Sequence, residues 1–164
     1  MDFISRTMTI SEFASAADIP VATVRDWNKR EMAVGIGQPG PNGYWLYCPA
    51  DVLALTLAKQ FKASGFPWGD ALWMGHIVRE YLLSGRDVKH LVFYRDTQSE
   101  RFAFEGADAL PESLVKAVNN AMEGAARPVV HIVDLARTYL ELPRQYQDGL
   151  RRASDWVSSL GRNG

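Results

Sequence analysis

Residues 20–32 read PVATVRDWNKREM, and this stretch decides the first half of the fold. Val21, Val24 and Trp27 recur three residues apart, so they lie on one side of a helix. The remaining side chains are mostly polar or charged and lie on the other sides. The pattern predicts a short helix at 21–31 with one packed side and one polar side.

The preceding segment, ISEFASAADI, predicts a first helix at about 9–17. Its apolar residues repeat at helical spacing: Ile10, Phe13, Ala14 and Ala17. Thr9 or Ser11 is suited to cap its start. Pro20 ends it, because the residue before a proline is driven out of the helical region. Two short helices separated by so short a turn predict a helix-turn-helix.

The next stretch, AVGIGQPGPNGYWLYCPAD, predicts a hairpin across 33–47. Its ends, AVGI and YWLY, are strand-like, and its centre, QPGPNG, is rich in turn residues. A hairpin directly after a helix-turn-helix is a wing, so the pattern predicts a winged helix-turn-helix. Two further helices follow, the first opened by Pro49 and stopped by Gly65, the second at about 68–84.

The C-terminal part predicts a different architecture. KHLVFYRD and ERFAFEG are typical of two strands of a hairpin, and PVVHIVDL is typical of a buried strand. Helices are predicted at 111–124 and 135–160, the second interrupted or kinked at Pro143. The sequence therefore predicts two domains: a first domain at 8–84 and a small unit at 86–160 with the element order ββαβα. The fold class is therefore mostly α with an α+β C-terminal part.

The composition predicts a globular cytoplasmic protein without a membrane partner. Hydrophobic residues make up 47% of the 164 residues and charged residues 23%, which excludes a disordered chain. No apolar run is long enough to cross a membrane, and no secretion signal is seen. The single cysteine, Cys48, excludes an internal disulfide and a cysteine cluster for zinc. The three histidines lie far apart, so no metal and no cofactor are predicted.

Net charge bears on the class of partner. The value of −1 counts against strong non-specific affinity for DNA but leaves room for one basic face. Arg79, Glu80, Arg86 and Asp87 are predicted on a solvated linker.

Residues 8 to about 84 resemble the winged helix-turn-helix domain of the MerR type. The resemblance rests on MTISEFASAADIPVATVRDW, GYWLYCPADVLAL and LAKQFKASGFPWGDAL. The family has the same order of an opening helix, a recognition helix with Thr-hydrophobic-Arg, a wing that ends in an aromatic residue, and a helix followed by a Gly-aromatic corner. The resemblance implies that helix 21–31 enters the major groove of double-stranded DNA, with wing 33–47 on the backbone.

The DNA-binding residues that the resemblance implies come from both elements. Thr23 and Arg25 match family positions that face DNA. The polar neighbours that extend this surface are Asp26, Asn28, Lys29 and Arg30, of which Arg and Lys favour guanine or phosphate and Asn favours adenine. In the wing, Tyr44 and Tyr47 match the family's aromatic pair, and each is expected to contact a phosphate or to pack beneath the wing.

Departures from the family pattern bear on this role. Asp26 replaces an aromatic residue and repels phosphate unless it accepts from a cytosine or pairs with Arg30, four residues on. Trp45 and Leu46 stand where relatives commonly carry an Arg, which removes one phosphate contact. The C-terminal part lacks the long dimerisation helix of MerR proteins and the effector-binding cysteines of the metal-sensing branch. Only the fold and the DNA role carry over.

The sequence therefore predicts a non-enzymatic, sequence-specific transcriptional regulator, for which a phage- or mobile-element-type repressor is plausible. Specificity would require a homodimer on paired half-sites. The unit at 86–160 is expected to serve dimerisation, contact with a protein partner or ligand sensing. Two alternatives stay open. One is an accessory protein of phage DNA packaging or recombination, similar to a small terminase subunit or an excisionase. The other is a protein-interaction module on a degenerate winged helix.

Overall fold

The computed structural model describes residues 3–84, 88–95, 102–107, 115, 119 and 130–154. Internal contacts divide the chain into two compact units. The first, unit 1, combines Met1–Ser84 with Pro143–Gly164, and the second, unit 2, is Gly85–Leu142. No helix within the described ranges is long and apolar enough to cross a membrane.

Unit 1 opens with the two short helices that the sequence predicts, α1 (Ile10–Ala16) and α2 (Val21–Lys29). Thr9 caps α1: its hydroxyl accepts from the Glu12 backbone N–H, and the Glu12 carboxylate accepts from the Thr9 N–H at 2.7 Å. Lys59 stabilises the other end of α1, because its Nζ donates to the carbonyl oxygens of Ala17 (2.6 Å) and Asp18 (3.0 Å). The last turn of α1 and the connection to α2 are thus held from outside the motif.

A two-stranded antiparallel hairpin follows α2, formed by β1 (Gln38–Pro39) and β2 (Trp45–Leu46). The strand predicted at AVGI is wrong, since these residues form turns. Gly35 (φ +77°) and Gly37 (φ +74°) adopt the left-handed conformation, which is incompatible with an extended strand. The first strand therefore begins only at Gln38.

Helices α3 (Pro49–Ala63) and α4 (Trp68–Ser84) form most of the core of unit 1 and lie where the sequence predicts them. Gly65 ends α3 with a positive φ of +98°. The two helices approach closely at Gly75 of α4, where an added Cβ would meet the backbone of Ala54 and Ala58. A larger side chain at this position would force the helices apart.

Unit 2 contains the strands β3 (His90–Arg95), β4 (Phe102–Ala107) and β5 (Val130–Asp134). They form an antiparallel sheet in the order β4-β3-β5. β3 and β5 lie within the predicted strands, and β4 extends one residue beyond its predicted strand, to Ala107. Asp134 then caps α5 (Leu135–Glu141), accepting from the Arg137 N–H at 2.9 Å. The helix predicted at 111–124 falls outside the described residues, apart from 115 and 119.

The last described helix, α6 (Arg144–Ala153), begins after Pro143, where the sequence predicts an interruption. It belongs to unit 1 and buries Tyr146, Gly149 and Leu150. Gly149 lies against the ring of Phe3, so that a Cβ at this position would collide with it. The sequence predicts this helix within the C-terminal unit at 86–160, whereas its internal contacts group it with unit 1.

Candidate nucleic-acid interface

Helix α2 has one buried side and one exposed side. Val24 and Trp27 are buried, and the Trp27 ring lies 4.9 Å from that of Trp68, measured between centroids. Arg25 and Lys29 point away from this packing and are exposed. The helix is therefore held in place by its apolar side while its cationic side remains accessible.

The polar residues of α2 differ in their freedom to bind a ligand. Arg30 Nε donates to Asp26 Oδ1 at 2.9 Å, which is one of the two arrangements that the sequence leaves open for Asp26. This pair is largely exposed, so it contributes little stability, but it offsets the charge of the acid on this face. Within the described part of the chain, Arg25 and Lys29 form no ion pair. These two cations are thus available to an anionic partner. Thr23 is half-buried and lies on a different side of the helix from them.

The hairpin lies next to α2, and the two elements border an open cleft of about 500 Å³. Its helix wall is formed by Arg25, Asn28 and Lys29, and its hairpin wall by Tyr44, Trp45 and Leu46. The start of α1 contributes Thr9 and Ile10. Tyr44 is 76% exposed, so its side chain is accessible from solvent as well. The cleft therefore brings together predicted DNA-binding residues of the helix and of the hairpin.

Tyr47 occupies a different position from Tyr44. It is fully buried, and its ring stacks on Phe13 with centroids 4.1 Å apart and planes inclined by 8°. Its hydroxyl oxygen accepts from Asn28 Nδ2 at 2.7 Å, and burial raises the pKa of this phenol. Of the two roles expected for Tyr47, the structure supports packing beneath the hairpin. The residue connects the hairpin to α1 and, through Asn28, to α2.

A buried ion pair supports the loop between α2 and the hairpin. Arg79 of α4 donates through Nη1 to Asp51 Oδ1 at 2.7 Å and through Nη2 to the Gly35 carbonyl oxygen at 2.9 Å. Both charged side chains are almost fully buried. The prediction of a solvated linker at Arg79 is wrong, because this side chain turns inward and crosses from α4 to α3 and to the loop.

The surroundings of this pair are also shielded from solvent. Burial, and secondly the charge of Arg79, lower the pKa of His76. Cys48 donates through its backbone N–H to Asp51 Oδ2 at 2.9 Å. Burial and the neighbouring carboxylate raise the pKa of the Cys48 thiol to about 11. One feature of the sequence could have indicated the buried position of Asp51. It follows Cys48 by three residues, which is the spacing of a capping box, at the start of an otherwise apolar helix.

The described residues contain no group of three His, Cys, Asp or Glu side chains that could hold a metal ion. The arrangement at α2 and the hairpin is instead that of a helix-turn-helix protein, with one packed and one exposed side of the second helix. Residues 8–71 match the family model described as MerR HTH family regulatory protein. The comparison with curated proteins finds no match.

The family match confirms the resemblance seen in the sequence for the N-terminal part of the chain. It extends from the residue before Thr9 through both short helices, the hairpin and α3 into the first turn of α4. Unit 2 and α6 lie outside the matched residues. Residues 8–71 are therefore a MerR-type helix-turn-helix domain, combined here with further elements.

Proposed function

We propose that the protein is a DNA-binding transcription regulator that places α2 in the major groove and the hairpin, as a wing, against the DNA backbone. The observation that carries this proposal is the exposed face of α2, where Arg25 and Lys29 stand free of ion pairs in the described part of a MerR-type domain. A groove-binding helix needs such a face, because base edges and phosphates are contacted by side chains that the protein core does not use.

The contacts divide by the position of each residue. Arg25 and Thr23 lie toward the start of α2, where recognition helices contact base edges, and Lys29 is suited to a phosphate. Asp26 keeps Arg30 close to the helix, and the charge of Arg30 reduces the repulsion between Asp26 and phosphate. Asn28 is engaged by Tyr47, so it contributes mainly by fixing the distance between helix and hairpin. Tyr44 extends the contact from the hairpin.

The wider role follows from the size of the surface. A single helix-turn-helix contacts too few base pairs for useful specificity, so we propose a homodimer on paired half-sites. A sequence-specific repressor of the phage or mobile-element type fits this arrangement. Unit 2 is then the candidate for the dimer contact, for a protein partner or for sensing. No step of this function requires catalysis.

The proposal is tested by selecting bound sequences from random duplex DNA at about 50 mM salt, where phosphate contacts are strongest. We expect the wild type to enrich a palindromic motif and Arg25→Ala to lose one defined position of it. Lys62→Ala is the matched control, since it removes an exposed cation of α3 that does not line the cleft. The absence of any binding by the wild type at this salt would refute the DNA-binding function.

A protein-interaction module is the second candidate. It is favoured by the pairing of Asp26 with Arg30 and by the apolar side chains of the hairpin wall, together with the net charge of −1. Under this alternative, the same cleft would bind a peptide. A protein that fails to bind DNA but binds an acidic peptide through Arg25 and Lys29 would support it.

A further inference from the structure

We propose that the cleft between α2 and the hairpin seats one strand of the DNA backbone, with phosphates on the helix wall and deoxyribose rings on the hairpin wall. The hairpin would then strengthen binding through apolar contact rather than through charge. This inference rests on the proposed DNA-binding function and adds to it the chemistry by which the hairpin contacts DNA.

The helix wall is cationic. Arg25 and Lys29 line it, both are exposed, and neither forms an ion pair within the described residues. Asn28, the third residue of this wall, already donates to Tyr47 and offers no charge. Phosphates are therefore expected on this side of the cleft, held by Lys29, whereas Arg25 serves the base-edge contact of the proposed function.

The hairpin wall is apolar and carries no charge of its own. Tyr44 is exposed, while Trp45 and Leu46 are half-buried and turn part of their surface to the cleft. No charged residue occurs in the sequence between Glu31 and Asp51. The cation that reaches this region, Arg6, has its guanidinium 3.5 Å from the Gln38 side chain and 3.4 Å from Asp51, so its charge is engaged.

A nucleic-acid backbone matches these two walls because it has an anionic side and a sugar side. The volume of about 500 Å³ lies within the range of clefts that hold drug-sized ligands, about 300 to 1,000 Å³, so a nucleotide unit fits. The walls act on affinity in different ways. Phosphate contacts release counterions and are weakened by salt, whereas apolar contacts with sugars are not screened. The salt dependence of binding therefore separates the contributions of the two walls.

The experiment measures the dissociation constant of a labelled random-sequence duplex pool, with the full chain, at several salt concentrations from about 50 to 250 mM. For Lys29→Ala we expect the slope of the log association constant against log salt to become less steep by about 0.9, the value of one lost phosphate contact. For Trp45→Ala we expect an unchanged slope and a loss of about tenfold at every salt concentration. This factor corresponds to about 50 Å² of apolar contact at about 25 cal/mol per Å².

Two further variants separate contact from folding. Trp45→Leu keeps an apolar side chain and should retain most of the affinity that Trp45→Ala loses. Trp45→Arg places a cation on the hairpin wall and should make the slope steeper by about 0.9, because it adds a phosphate contact. Circular dichroism melting of each variant checks that the fold persists, and Lys62→Ala serves as the control outside the cleft.

Three outcomes would overturn the inference. An unchanged affinity for Trp45→Ala at every salt concentration would show that the hairpin wall does not contact the backbone, and the cleft would then be open to a small amphipathic anion. A less steep slope for Trp45→Ala would show that the hairpin acts through charge. Failure of the wild type to bind the pool would overturn the DNA-binding function together with this inference, whereas the first two outcomes leave that function intact.

Discussion

Replacing Arg79 by methionine removes the buried cation that faces Asp51, and this should be among the most destabilising single changes in unit 1. Arg79 bonds to the carboxylate of Asp51 at 2.7 Å and to the carbonyl oxygen of Gly35 at 2.9 Å. Methionine has a side chain of similar length but no charge. The fully buried carboxylate of Asp51 would then lack this cation. Arg6, at 3.4 Å from Asp51, is the remaining cation near it and is only partly buried.

The magnitude follows from the burial of both partners. Loss of one partner from a buried ion pair costs about 3 to 5 kcal/mol, because the other charge loses its buried counter-ion. Arg6, which is partly exposed, offsets only part of this loss. Glu80→Gln is the matched control, since Glu80 pairs with the same guanidinium at 2.7 Å but is 52% exposed. An exposed pair contributes about 0 to 1 kcal/mol. The free energy of unfolding should therefore fall several times further in Arg79→Met than in Glu80→Gln.

Tryptophan fluorescence during urea unfolding is a selective assay. All five tryptophans of the sequence fall within the ranges of unit 1, so the signal reports this unit alone. With a urea dependence of about 2 kcal/mol per M, the midpoint should drop by about 1.5 to 2.5 M in Arg79→Met and by at most about 0.5 M in Glu80→Gln.

A double variant tests the physical reason. Combining Arg79→Met with Asp51→Asn removes the unpaired charge, while the new side-chain oxygen can still accept from the Cys48 N–H. The double variant should therefore be less destabilised than the sum of the single variants by about 2 kcal/mol. Equal midpoints for Arg79→Met and Glu80→Gln, or strictly additive effects in the double variant, would refute the reasoning.

Three further predictions concern backbone conformation, thiol chemistry and pH. Gly35→Ala should lower the melting temperature more than Gly43→Ala, because the two glycines have similar φ angles (+77° and +74°) but a Cβ at Gly35 alone meets the His76 ring; equal shifts would contradict this. Cys48, with its pKa raised to about 11, should react with a thiol reagent at pH 8 far more slowly in the folded protein than in urea, and equal rates would count against its burial. Hydrogen bonds lower the pKa of Glu12 below its usual 4.5, so its contribution to stability is present above that value and is lost as pH falls through the folded value. The stability difference between the wild type and Glu12→Gln, measured by melting, should accordingly shrink at low pH, and a difference independent of pH would exclude this role.

Elements with strong local signals could be predicted from the sequence. Helix α1 follows from its apolar spacing and the cap at Thr9, and α3 from Pro49 at its start and Gly65 at its end. The pairing of Asp26 with Arg30 is one of two arrangements that the sequence offers, because residues four apart on a helix are neighbours. Each of these features depends on residues within one or two turns of the chain.

Features that depend on distant residues were not predictable in the same way. AVGI has strand-forming side chains, but Gly35 takes a positive φ, and a Cβ at this position would meet the ring of His76, far along the sequence. The inward turn of Arg79 depends on a carboxylate in another helix. Burial of Tyr47 depends on Phe13 and Asn28, which only the tertiary packing brings together. A single sequence does not specify these long-range pairings.

The packing of α6 on unit 1 has a consequence for how the protein is made. Because unit 2, Gly85–Leu142, is inserted between α4 and α6, the ribosome synthesises all of unit 2 before the helix that packs near Phe3. Domains generally fold as units during synthesis. The surface of unit 1 that packs against Tyr146 and Leu150 therefore stays exposed while unit 2 is synthesised. A nascent chain stalled before Pro143 would carry a DNA-binding motif whose supporting core is still incomplete.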